Sequence, residues 1–111
     1  MSAVRYVILD PTGNITCLVT QASGIDERRL TRRLMQECEQ VAYLEPPTLP
    51  GSMARIRLMG GEFCGNAAMA SACWLAMKKG LLTPEPVVFP LEMSGVNGLL
   101  PCRVHSVPGG C

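Results

Sequence analysis

The chain has 111 residues, 48% of them hydrophobic and only 5% aromatic, with ten basic side chains against nine acidic for a formal charge of +1. This length suits one domain with an aliphatic core, and the apolar content argues against disorder. The near-neutral balance leaves no electrostatic footprint for nucleic acid or an anionic membrane. Arg28, Arg29, Arg32 and Arg33 are the one basic cluster, and their alternation with Leu30 and Leu34 marks the wet face of an amphipathic helix.

Ala3 to Leu9 is rich in Val, Ile and Tyr and reads as a strand, closed by the Pro and Gly of Asp10-Pro11-Thr12-Gly13-Asn14. Ile15 to Thr20 is a second strand, so the two form a hairpin. Asp26 to Cys38 carries Leu30, Leu34, Met35 and Cys38 at helical spacing, with Ser23 or Asp26 as its N-cap. Val41 to Leu44 is a strand stopped by Pro46-Pro47. Ala54 to Met59 is another, with Ile56 and Leu58 alternating with Arg55 and Arg57 across a half-solvated sheet.

A helix from about Cys64 to Lys79 follows Gly60-Gly61 and is apolar nearly all round, which predicts a helix enclosed by protein. Lys78, Lys79 and Gly80 suit its C-terminal end. Val87 to Met93 and Leu99 to Val104 read as strands joined through Ser94-Gly95-Val96-Asn97-Gly98, whose Asn-Gly is a hairpin signal, and Val107-Pro108-Gly109-Gly110-Cys111 runs out as a tail. The fold class is therefore α+β: a single lobe over residues 1–111 in which a curved mixed or antiparallel sheet wraps one buried helix.

The six cysteines are Cys17, Cys38, Cys64, Cys73, Cys102 and Cys111. No signal-peptide pattern opens the sequence and several thiols sit in apolar segments, so a reduced cytoplasmic setting is expected over a disulfide framework. With no C-x-x-C pair and His105 the single histidine, placed in a strand, no metal site is expected. The longest apolar run is too short for a bilayer.

Cys64 stands apart because it opens a helix. Helix-start amides lack intrahelical acceptors and carry partial positive charge, so one turn of chain is suited to hold a carboxylate and to favour thiolate over thiol. Gly65 beside it removes the side chain that would keep a ligand from the backbone. Cys73, deeper in the same helix, reads as inert core, and Glu62 as a solvated turn carboxylate.

Three segments carry a family resemblance: Pro11-Thr12-Gly13-Asn14-Ile15-Thr16, Cys38-Glu39-Gln40-Val41, and Gly61-Glu62-Phe63-Cys64-Gly65-Asn66-Ala67. In order and separation they resemble the N-terminal lobe of the diaminopimelate epimerase superfamily, closest to its histidine-racemase-like branch. The resemblance implies an amino-acid racemase or epimerase that uses no cofactor, in which two thiols from two lobes exchange the α-proton from opposite faces. It makes Cys64 the acid/base, Gly65 and Asn66 the amides that hold the substrate carboxylate, and Asn14 a side-chain contact to substrate. Ala67, Ala68 and Met69 depart from the Gly-Ala-Arg of diaminopimelate epimerases proper, which argues against that substrate. A second lobe with its own thiol is absent from these 111 residues. The expected partners are therefore a small amino acid or related α-carboxylate and a second lobe or second copy. The competing reading is a non-catalytic carboxylate-binding or assembly module of the same fold.

Overall fold

The computed structural model describes residues 3–11 and 13–108. In chain order the elements are β1 (Ala3–Leu9), β2 (Thr16–Ser23), α1 (Glu27–Leu34), β3 (Gln40–Glu45), β4 (Ala54–Leu58), α2 (Gly65–Lys78), β5 (Val87–Met93) and β6 (Leu100–Val104). Of the expected tail from Val107 to Cys111, residues 109–111 lie outside the described residues.

The strands form one six-stranded sheet in sequence order. The pairs β1–β2, β3–β4 and β5–β6 are antiparallel, while β2–β3 and β4–β5 are parallel. Each parallel step is crossed by a helix, giving β2-α1-β3 and β4-α2-β5. Both crossovers step the same way across the sheet, but β3 and β4 run in opposite directions. Right-handed connections then place the two helices on opposite faces.

Packing agrees with that placement. Leu30 and Leu34 of α1 pack with Cys17, Val19, Val41 and Tyr43 on one face. On the other, Ala67, Ala68, Ala72, Leu75 and Ala76 of α2 pack with Leu18, Ala42, Ile56, Leu58, Phe89, Leu91 and Met93. Adjacent residues of β2 thus serve opposite cores, as the strand period of two requires. Residues from all six strands reach the α2 core, Val7 and Leu9 of β1 included, so the sheet wraps that helix as expected.

Several details settle or correct the sequence reading. Asp26 is the N-cap of α1, its carboxylate accepting the Arg28 amide at 3.0 Å. The helix ends at Leu34 and not at Cys38, whose thiol lies past the turn with the Leu34 and Gln40 carbonyls as alternative acceptors at 3.2 and 3.1 Å. The link between β5 and β6 covers residues 94–99, one residue longer than expected because β6 starts at Leu100, with its left-handed positions at Gly95 and Gly98. His105 falls just beyond β6. Pro90 is tolerated within β5 because pairing with β4 begins only at Leu91, so no β4 carbonyl there is left without a donor. The largest correction concerns α2. It is buried along one side only, with Met69 63% and Met77 54% exposed, because the sheet does not close between β1 and β6.

Glu92 in β5 ties down the loop between β3 and β4. Its buried carboxylate accepts the Thr48 amide at 2.6 Å and the Leu49 amide at 3.1 Å, bonds the Thr48 hydroxyl, and faces Arg55 at 3.5 Å. The Thr48 hydroxyl and the loop amides outweigh burial and hold this carboxyl down at about 2. A carboxyl depressed in the folded state adds stability that is complete above its unfolded value of about 4.5 and is lost as pH falls towards 2. Urea midpoints measured across that window should therefore decline in the wild type and decline less in Glu92→Gln. Parallel slopes would show that another carboxylate dominates.

Candidate active site

The approach to α2 is built by a turn and a clamp. Gly61, at φ +74°, closes a turn by donating its amide to the Leu58 carbonyl at 2.9 Å. Glu62 folds back so that its carboxylate accepts the Gly60 amide at 3.2 Å, which agrees with its reading as a turn carboxylate. The buried Ser94 hydroxyl then joins two elements, accepting from the Leu58 amide at 3.0 Å and donating to the Glu62 carbonyl at 2.6 Å. The end of β5 thereby fixes the segment that delivers Cys64.

Cys64 is the N-cap of α2, with extended backbone and its carbonyl accepting the Ala68 amide at 3.0 Å. Its side chain makes no capping hydrogen bond, although the Asn66 and Ala67 amides lean towards the sulfur. The side-chain amide of Gln40 donates to the sulfur at 3.4 Å, and that of Asn14 reaches it at 3.9 Å. Partial burial pushes the thiol up, but the Gln40 amide, the Ala67 and Asn66 amides and Asn14 together pull it below its ordinary value.

Asn14 reaches the sulfur because the loop after β1 turns through a left-handed backbone, φ +56°, at this residue. That conformation is uncommon outside glycine and is best tolerated by Asn. A Cβ at Gly65 would make only an ordinary contact with the Phe63 ring, at 3.8 Å, so space alone does not require glycine there, and Phe63 bounds one side of the helix start. The structure therefore brings Cys64, Gly65, Asn66 and Asn14 to one place. Among the described residues no group of three or more His, Cys, Asp or Glu is arranged to hold a metal ion. No helix among them is long and apolar enough to cross a membrane.

Comparison with known proteins decides the family. Residues 3–109 match the model of the histidine racemase CntK N-terminal domain. A histidine racemase of Fusobacterium nucleatum is 33% identical over 84 residues, which cover 70% of this chain and 29% of that protein. A histidine racemase of Staphylococcus aureus is 31% identical over 108 residues, covering 92% of this chain and 38% of the relative. The chain belongs to the histidine racemase N-terminal domain family. It spans between 29% and 38% of the length of these relatives.

Sequence reasoning missed Gln40 and Thr16 as neighbours of Cys64. Gln40 lies in one of the family-like segments, but its place depends on β2 and β3 being parallel neighbours with Thr16 opposite Gln40. Nothing local to either segment encodes that pairing. Cys73 also differs from expectation, being half-buried and disulfide-bonded. Cys17, Cys38, Cys64 and Cys102 carry free thiols. Burial, with the neighbouring Cys38 thiol, pushes Cys17 up to about 12, and burial also raises Cys102.

Cys64 should therefore be alkylated first. In native iodoacetamide labelling near neutral pH with mass mapping, Cys64 is expected to react at least roughly 10-fold faster than Cys17 or Cys102. Faster labelling of either buried thiol in the folded chain would overturn the assignment of Cys64 as the reactive one.

Proposed function

We propose that this domain supplies one acid/base thiol of an amino-acid racemase or epimerase, that Cys64 is that thiol, and that the reaction uses no cofactor. The observation that carries this reading is the Cys64 sulfur at the start of α2, ringed by the Gln40, Asn14, Asn66 and Ala67 donors. In the proposed step the Cys64 thiolate takes the α-proton, and the electron pair left on carbon spreads into the substrate carboxylate. The Gly65 amide holds that carboxylate together with the Asn66 amide, whose one N–H is shared with the sulfur, and Asn14 contacts the substrate beside it. Fixed donors aimed at developing charge are worth roughly 3 kcal/mol each. A second thiol on the opposite face delivers a proton to the carbon and is left as thiolate, so inversion leaves the pair with exchanged protonation.

Histidine is the first substrate to test, because that is what the relatives are named for. The second thiol would come from a second lobe or a second copy of the chain. A cytoplasmic setting belongs to the same proposal; four free thiols favour it, while the disulfide at Cys73 weighs against it.

The test is α-proton exchange of L- and D-histidine in deuterated water, followed by proton NMR. One thiol suffices to wash out the proton of one enantiomer without inversion, while two are needed for racemisation. Washout of a single enantiomer by the 111-residue chain is therefore the expected signature of Cys64 acting alone. Racemisation accompanied by a dimer in sedimentation would place the second thiol in a second copy. Absence of washout across a panel of amino acids would overturn the catalytic reading and leave the carboxylate-binding module.

A further inference from the structure

The Cys64 sulfur sits at the end of a hydrogen-bond chain whose polarity is fixed at its far end. The Asn14 carbonyl can only accept, so the Thr16 hydroxyl, 2.8 Å away, spends its one proton there. With that proton committed, Thr16 Oγ1 can only accept from the Gln40 side chain, also 2.8 Å away. Gln40 must therefore present its NH2 group and not its carbonyl oxygen. The choice between the two amide orientations, which is otherwise an assignment, is made here by the chemistry of the neighbour. The second N–H of the same group points at the Cys64 sulfur at 3.4 Å.

Thr16 is fully buried, and both of its polar contacts are internal. Its position on β2 directly opposite Gln40 on β3 is set by the parallel register. The Gln40 backbone is held in turn by its amide donating to the Ile15 carbonyl at 3.2 Å. Neither amide hydrogen of Gln40 is left to choose its partner.

We propose that Thr16 is a positioning residue, which locks the Gln40 amide as a donor and so presents the Cys64 sulfur with a permanent N–H. This deepens the reading of Cys64 as the acid/base thiol and rests on it for its catalytic meaning. A donor to sulfur stabilises the thiolate over the thiol, whereas a flipped Gln40 would turn its oxygen to the sulfur and do the reverse. The ionisable side chains on the surrounding segments do not replace this influence. Glu62 is engaged with the Gly60 amide, Asp10 faces the Gly13 amide at 3.5 Å, and Glu39 is exposed. The leading influences on the thiol are burial and hydrogen bonds.

The experiment is the pH-rate profile of Cys64 alkylation by iodoacetamide on the full 111-residue chain, read by mass mapping, for wild type, Thr16→Val, Thr16→Ser and Gln40→Met. The titration midpoint is the quantity of interest, because intrinsic nucleophilicity changes along with thiolate fraction. Thr16→Val keeps the shape and removes the hydroxyl, and should move the midpoint up by about 0.5–1 pH unit, a roughly 3- to 10-fold loss of thiolate near neutrality. Thr16→Ser restores the hydroxyl and should restore the midpoint, which a purely structural role would not require. Gln40→Met should reproduce the Thr16→Val shift. If Thr16→Val fails to fold, Gln40→Met, at a half-buried position, decides alone. An unmoved midpoint in a folded Thr16→Val or Gln40→Met variant overturns the proposal. A shifted midpoint with no α-proton exchange in the wild type would sustain this inference and sink the racemase reading instead. Exchange with an unmoved midpoint would do the opposite.

Discussion

Cys64→Ser is expected to abolish α-proton exchange while making the domain more stable. The two effects part because Cys64 occupies the N-cap of α2, where its side chain makes no capping hydrogen bond. Serine is among the best N-cap residues, since its oxygen reaches the N2 or N3 amide, here Asn66 or Ala67. The gain should be about 0.5–1 kcal/mol, or roughly 2–6 °C in melting temperature. A serine hydroxyl does not ionise near neutrality, so the proton acceptor is lost. General-base removal of this kind costs on the order of 100- to 10,000-fold. Circular-dichroism melts and deuterium washout of histidine on the same two proteins check both halves. Retained exchange in the serine variant would remove Cys64 from the mechanism. Lowered stability would show that the sulfur already serves as a cap.

That a cysteine opens α2 is visible in the sequence alone, because Gly60-Gly61, the cysteine and the Ala-rich run that follows are contiguous. Local signals of this type served well for β1, for the Asp26 cap and for the strand containing Ile56 and Leu58, where turn residues and periodicity are adjacent in the chain. They failed where the outcome depends on a partner distant in sequence. The α2 helix has apolar residues on every side, which by itself cannot distinguish a helix enclosed by a closed sheet from one exposed where β1 and β6 do not meet. Met69 and Met77 show that the sheet stays open. Gln40 and Thr16 entered the site through a parallel pairing 24 residues apart, which no short motif specifies. Asn97-Gly98 carries the strongest hairpin dipeptide in the chain, yet the link it belongs to is shaped by Gly95 against the Phe63 backbone.

Gly95 is accordingly where a single methyl group should do the most damage. It follows Ser94, the residue that clamps the Glu62 carbonyl, and its φ of +78° lies in the left-handed region. A Cβ at Gly95 would stand 2.7 Å from the Phe63 amide nitrogen, 3.0 Å from Phe63 Cβ and 3.1 Å from the Glu62 carbonyl carbon. The nearest of these is backbone and cannot rotate away, so the whole Glu62-Phe63 segment must shift. Gly98 lies in the same link at φ +80°, with nothing within 4 Å of its Cβ position, and supplies the matched control. Gly98→Ala carries only the left-handed penalty of about 1–2 kcal/mol. Gly95→Ala adds overpacking of about 1–3 kcal/mol, for a total near 2–5 kcal/mol and a fall in melting temperature of at least roughly 10 °C. Because the displaced segment delivers Cys64, Gly95→Ala should also slow native alkylation of that thiol relative to Gly98→Ala. Equal destabilisation by the two alanines would mean that the Phe63 segment yields freely, and the approach to Cys64 would then not be held by the end of β5.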